Sequence, residues 1–268
     1  MGTTPKVRLI TYASRAFRHV QRLNSRSARR AGGFDRCFAH GPGDIDRDFR
    51  ARHADILSAA RGDGYWLWKP YLIQRHLNQL EPDEWLMYCD AGAVFVQPPT
   101  ALVEHAAAHD SDVLVFELEP FRLESLWTKR DAFVLLDCDK PACWASPQRI
   151  GGYSLWRRSD ETRELVDAWL QAVADRRLVS DDPNTCGLEN LPGFVTHRHD
   201  QSILSLLTKI RGIRAARDPS QFGNPWIGLH PDSLYPQIVE SLGAVAPRWS
   251  TQVRRIQGTV ERRIRNLR

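Results

Sequence analysis

Cysteine is scarce. The chain has five in 268 residues (Cys37, Cys89, Cys138, Cys143 and Cys186), an odd number that does not make a disulfide scaffold. Cys138 and Cys143 have no second Cys or His pair at zinc-ligand spacing, which excludes a structural zinc module and leaves all five read as reduced thiols. No window approaches the ~18 uninterrupted apolar residues of a membrane span. Residues 1–5 run straight into an apolar pattern at 7–12, so a cytoplasmic protein without a leader is expected. Repeats, low-complexity tracts and Pro/Gly linkers are missing too, which favours one domain over residues 1–250. Net charge is small, +5 from 37 Lys+Arg and 32 Asp+Glu. Residues 251–268 alone hold six Arg against Glu261, so the remainder carries 31 of each sign. A globally basic nucleic-acid coat is excluded, and no nucleic-acid partner is expected.

What is present is a composition able to bury a large core, 42% hydrophobic and 26% charged. Short apolar strand patterns fall at residues 8–12, 34–39, 84–89, 113–117, 151–156 and 213–216. Helical periodicity fills 15–31, 51–60, 69–79, 99–109, 129–135, 160–174 and 200–210. The alternation predicts an α/β fold, a mostly parallel sheet flanked by helices. Residues 15–30 hold six Arg and no acid, the pattern of a solvated basic face. In the tail, Val253, Ile256, Val260, Ile264 and Leu267 repeat at steps of three and four with Arg around them, a basic amphipathic helix. Such a helix suits an anionic membrane leaflet, and equally the domain's own surface or a second copy.

The densest chemistry lies in two aromatic-rich segments, 64–71 (GYWLWKPY) and 85–92 (WLMYCDAG). Asp90 ends a buried strand, where open α/β sheets bind ligands; the plain alternative is an Asp-Ala-Gly turn. A haloacid-dehalogenase-type phosphatase requires Asp-x-Asp followed by Thr, and Asp90-Ala91-Gly92 has neither. A nuclease of the Glu-x-Lys type requires a lysine that does not follow Glu117 and Glu119. Lys69, before Pro70 at a helix start, sits at the positive end of the helix dipole, a place that favours a bound anion. A surface lysine laid over Trp66 and Trp68 is the alternative. Asp200 opens the helix at 200–210 and reads as a cap, a site carboxylate, or both.

Together these segments resemble the nucleotide-sugar-dependent glycosyltransferases of the GT-A fold, especially the small bacterial capsule and lipopolysaccharide enzymes, with a glycogenin-like motif order. The matching pieces are residues 64–71, 88–92, 127–131 (WTKRD), 151–154 (GGYS) and 199–202 (HDQS), spread over residues 7–235. The resemblance implies a Rossmann-like GT-A domain over 1–250, with the tail 251–268 appended. It also implies a nucleotide diphosphate donor, UDP-sugar as the first choice, and a glycan or lipid-linked acceptor. The catalytic residues would be Asp200 and Gln201, with retention of anomeric configuration favoured by the resemblance and inversion, with Asp200 as the base, the alternative. Donor binding would fall to Thr11, Tyr12, Lys69, Asp90, Lys129 and Arg130, and acceptor or sugar binding to Trp66, Asp131 and His199. In the family an Asp-x-Asp holds Mn²⁺ or Mg²⁺ against the diphosphate. Here position 92 is Gly, so either Asp90 holds the metal with a distant partner, for which His230, otherwise a surface turn residue, is the candidate, or the donor is bound without a metal. Asp44 and Asp46 are further candidates for base or ribose, and Trp127 for a sugar face. The tail would place the enzyme on the inner face of the plasma membrane. Two other readings stay open: a degenerate fold that only binds, and a metal-dependent nucleotide-sugar hydrolase.

Overall fold

Unbroken apolar runs form the middle of the sheet. Strand β3 (Glu84–Cys89) is buried at every position and β1 (Lys6–Tyr12) at all but its first, as strands covered on both faces must be. The computed structural model describes residues 5–242. It adds β2 (Arg36–His40), β4 (Ala93–Phe95), β5 (Val113–Glu117), β6 (Tyr153–Arg157), β7 (Ala215–Arg217) and β8 (Val239–Ser241). Six strands make one sheet in the order β2-β1-β3-β6-β5-β7. β1 pairs in parallel with β2 and β3, and β5 with β7, while β6 runs antiparallel between β3 and β5. The carboxyl ends of five strands therefore share one edge, and β6 begins there.

Helices cover both faces. The longer ones are α1 (Arg18–Ala31), α2 (Trp68–Leu77), α3 (Thr100–Ala108), α4 (Asp160–Val173) and α5 (Asp200–Ile210). On one face α2, α4 and α5 bury Leu72, Ile73, Leu165, Trp169, Ile203 and Leu206 against Ile10, Tyr88 and Val115. On the other, α1 and α3 cover Leu9, Met87, Leu114 and Phe116. Each fully buried Leu, Ile or Phe contributes about 1.5–3 kcal/mol. Ser159 starts α4 with a capping box: its hydroxyl accepts from Thr162 N–H, and Thr162 Oγ1 accepts from Ser159 N–H.

Helix α1 turns its five Arg to solvent and buries Gln21, Asn24, Ser25 and Ala28. Gln21 donates to His40 O and Asn24 to Ala93 O, so the buried polar stripe grips the turns after β2 and β3. Beyond Asp90, β4 pairs antiparallel with β8 and Leu242 N–H donates to Gly92 O, which ties the Asp90 turn to the last described strand.

Two expectations are corrected or left aside. Cys138 and Cys143 are joined as a disulfide, with Cα atoms 6.1 Å apart, and only Cys37, Cys89 and Cys186 are free thiols. The turn after the helix Arg130–Leu135 folds the chain back and brings the two Cys together. The basic tail, residues 251–268, lies outside the described residues. Among the described residues no helix is long and apolar enough to cross a membrane.

Candidate active site

Segment 62–66 delivers the first site residue. Gly62, Asp63, Gly64, Tyr65 and Trp66 all have positive φ, a run that three non-glycine residues adopt only under strain. A Cβ on Gly62 would lie 2.2 Å from the Trp66 ring, so the turn closes on its own tryptophan. It leads directly into α2 and drives Lys69 inward beneath the carboxyl edge, where the lysine is 3% exposed. Its Nζ lies 2.7 Å from Asp200 Oδ2 and 3.8 Å from Asp90 Oδ1, and it donates to Gly151 O at 3.0 Å. The surface-lysine alternative is thereby removed.

Asp90 follows β3, and its side chain remains 46% exposed. Its N–H donates to Gly152 O at 2.8 Å, and Tyr88 OH donates to its Oδ1. Asp200, the first residue of α5, is buried. Its carboxylate faces Lys69 rather than capping the helix, at an angle that leaves Oδ2 without a directed hydrogen bond. Gln201 accepts from Gly151 N–H at 3.0 Å and donates to Gln148 Oε1 at 2.6 Å. A Cβ on Gly151 would stand 2.8 Å from Gln201 Cβ, so this glycine is what lets β6 start against α5. Tyr88, Lys69, Asp90, Gly151, Asp200 and Gln201 thus converge where β3, β6, α2 and α5 meet.

The charges are coupled. Burial pushes Asp200 up to about 6, against the pull of the Lys69 ammonium, and Asp90 pushes the same way as burial. Burial alone would lower Lys69, but the carboxylates of Asp200 and Asp90 outweigh it and hold the ammonium above its ordinary value. Burial and the neighbouring Asp90 carry the Tyr88 phenol well above its usual range, so it stays a donor.

Other candidates have structural duties. Lys129 is buried, donates to Asp182 O at 2.8 Å and lies 3.5 Å from Asp131, and Arg130 pairs with Asp139 at 2.7 Å. Both are engaged within the protein, although Arg130 Nε is a buried donor without a partner among the described residues. Asp131 is buried and accepts from the N–H groups of Thr185 and Cys186, which fixes that loop instead of a sugar. His199, 2% exposed, accepts at Nε2 from Arg61 Nε at 2.7 Å and bonds Val179 O through Nδ1 at 2.7 Å. Burial pulls it down to about 4, so the ring is neutral and already satisfied, no sugar ligand. Trp66 stacks on that ring at 5.3 Å. Tyr12 stacks on Trp68 and donates to Asp63, and Thr11 is buried beneath the edge. Asp46 accepts from Tyr71 OH and Asp44 from Gly41 N–H. The spacing of Tyr88 to Asp90, two residues on one strand face, was a signal available for Tyr88. Arg122, Gln148 and Arg198, which also line this edge, left none.

The proposed metal pair does not assemble. His230 Nε2 faces Glu117 at 3.6 Å, on the β5 side of the sheet, not Asp90. Asp90 brings one carboxylate, already shared with Tyr88 and set 3.8 Å from an ammonium that repels a dication. Among the described residues no three Cys, His, Asp or Glu side chains cluster to hold a metal. The donor set does not fit Mn²⁺ or Mg²⁺.

No protein-family model matches the chain, and no curated protein matches its sequence. In structure it is similar to the apo form of mouse xyloside xylosyltransferase 1, at 10% identity and a TM-score of 0.50, covering 90% of this chain and 99% of that one. It is also similar to galactosyltransferase LgtC in complex with donor and acceptor sugar analogs, at 12% identity and a TM-score of 0.49, covering 90% and 89%. The fold is GT-A-like. In this GT-A-like sheet the Lys69 cluster occupies the carboxyl edge, between the β1–β3 half and the β5–β7 half.

Proposed function

We propose that the chain is a glycosyltransferase that moves a sugar from a nucleotide diphosphate donor to a hydroxyl of a glycan or lipid-linked acceptor. One observation carries the reading: a buried ammonium, Lys69, bridges a buried carboxylate, Asp200, and an exposed one, Asp90, at the ligand edge of a GT-A-like sheet. The fold shared with the xylosyltransferase supports it.

In this reading Asp90, the exposed member, meets the donor. Lys69 holds positive charge beneath the reacting centre, where low dielectric strengthens it. Asp200 is 3% exposed and engaged by Lys69, a poor position for a base that must reach an acceptor hydroxyl. Its part is electrostatic, which favours retention over inversion. No step is assigned to a metal, because the residues at the edge do not make a metal site.

Thermal stability against UDP, GDP, CMP and their sugar conjugates tests donor binding, since a ligand at 100 times its Kd adds about 2.7 kcal/mol. Transfer assays with the stabilising donor and NMR of the product's anomeric configuration then test the reaction. Full activity in Asp90→Ala would overturn the reading. A role in bacterial surface polysaccharide synthesis, with the basic tail on an anionic leaflet, is the biological setting we propose; vesicle sedimentation of the full chain tests the second part.

A further inference from the structure

Two guanidinium groups and one indole meet at the carboxyl edge on the β5 side of β6, opposite Asp90. The backbone of residues 195–198 runs beside residues 126–127, with Val195 N–H donating to Leu126 O and Arg198 N–H to Trp127 O. This seats the Arg198 guanidinium 4.4 Å from the centroid of the Trp127 ring, and Arg122 approaches the same ring at 5.8 Å. Arg122 is paired with Glu119 at 2.6 Å. The Arg198 guanidinium has no hydrogen bond or carboxylate partner among the described residues. Trp127 Nε1 is a buried donor without an acceptor.

Burial pushes Arg198 down to about 10, Arg122 and Arg61 push the same way, and Glu119 alone opposes them. Donors therefore outnumber acceptors at this spot, and two fork-shaped cations share one carboxylate. Arg198 is half-buried, its guanidinium is within reach of solvent and hydrogen-bonded to no protein group among the described residues, and a planar oxyanion would engage it with two parallel hydrogen bonds.

We propose that Arg198 and Arg122, seated on Trp127, bind an oxyanion group, phosphate or carboxylate, carried by the acceptor substrate. The acceptor rather than the donor is assigned because Arg122 lies on the segment that follows β5 and Arg198 on the loop that leads into α5, while Asp90, Thr11 and Tyr12 lie at the ends of β1 and β3. The assignment to an acceptor rests on the glycosyltransferase reading; the anion site itself does not.

Calorimetric titration of the full chain with inorganic phosphate and, separately, with UDP tests it. Phosphate affinity is expected to fall about tenfold or more in Arg198→Gln and in Arg122→Gln, as a charged hydrogen bond is lost. It is expected to rise in Glu119→Gln, where the competing carboxylate is gone, and UDP affinity is expected to stay within about twofold of wild type throughout. If Arg198→Gln fails to fold, Arg198→Lys, which keeps the charge and loses the fork, is expected to show an intermediate loss. Wild-type chain that binds no phosphate, or affinities indifferent to all these substitutions, would overturn the proposal. UDP affinity falling in parallel with phosphate would move the anion to the donor and overturn the acceptor assignment. A chain that transfers no sugar yet shows the expected phosphate affinities would fail the functional reading and keep the site.

Discussion

Lys69 and Asp200 each bury the charge that the other neutralises. Lys69→Met leaves the Asp200 carboxylate buried beside Asp90 and Tyr88 without a counter-charge, and an expected loss of about 3–5 kcal/mol follows. Adding Asp200→Asn removes that charge, so the double variant should be more stable than the sum of the two single losses, a coupling that urea unfolding measures directly. The pair also sets a pH dependence. Asp200 is raised to about 6, so between its ordinary value near 4 and pH 6 the folded chain holds a proton that the unfolded chain releases. Stability from this group therefore falls as pH rises through that window and levels off above it. Asp200→Asn should abolish that slope; a slope unchanged in the variant would assign it elsewhere. At this scale much was legible. Asp90 was expected at the end of a buried strand and Lys69 at a helix start, and both lie there. That Lys69 meets Asp200, 131 positions later, is a fact of packing, and so is the diversion of Lys129, Arg130, Asp131 and His199 into structural bonds.

The helix Glu124–Trp127 shows what holds the edge in register between elements. Glu124 is fully buried and accepts from Thr128 Oγ1 at 2.7 Å, Gln148 Nε2 at 3.0 Å, Lys209 Nζ at 2.9 Å and the Ser205 hydroxyl. One carboxylate thus joins the segment before β6 to two turns of α5. Glu124→Leu should cost about 3–5 kcal/mol, because Lys209 and three further polar groups lose their partner at once. Because Gln148 also holds Gln201, transfer activity should fall beyond the loss of folded protein, which activity per folded molecule at low temperature would separate. Several elements were read from periodicity nearly to their ends: β3 and β5 coincide with the apolar runs, and α5 with its amphipathic stripe, whereas the helix expected at 51–60 is two short helices, Arg47–Arg52 and Ala54–Leu57. The strands β4 and β8 were missed. Three residues carry too little pattern, and their pairing joins positions some 145 apart that only the assembled sheet brings together. The left-handed run at 62–66 was equally hidden, since two of its five residues are glycine and the rest adopt positive φ under tertiary constraint.

For the molecule as a whole, the distribution of ions along the carboxyl edge decides how a diphosphate is met. Each acid there is committed: Asp90 to Tyr88 and Lys69, Asp200 to Lys69, Glu119 to Arg122, and Glu117 to His230. Among the described residues no carboxylate pair is left along this edge to hold a dication, so the affinity for a nucleoside diphosphate should be the same within about twofold in EDTA and in Mn²⁺, a difference below about 0.4 kcal/mol. Position 92 offers the converse test. Gly92 lies outside the left-handed region, and a Cβ there would meet nothing within 4 Å, so the backbone admits an aspartate. Gly92→Asp should place a second carboxylate two residues from Asp90 and create an oxygen donor pair that Lys69 alone cannot neutralise. In that variant, calorimetry should find UDP affinity rising on addition of Mn²⁺, with a thermal midpoint that follows the metal concentration. Wild-type chain whose UDP affinity collapses in EDTA would reverse the assignment. Asp90 would then take its remaining metal ligands from the diphosphate itself, and Lys69 would serve Asp200 alone.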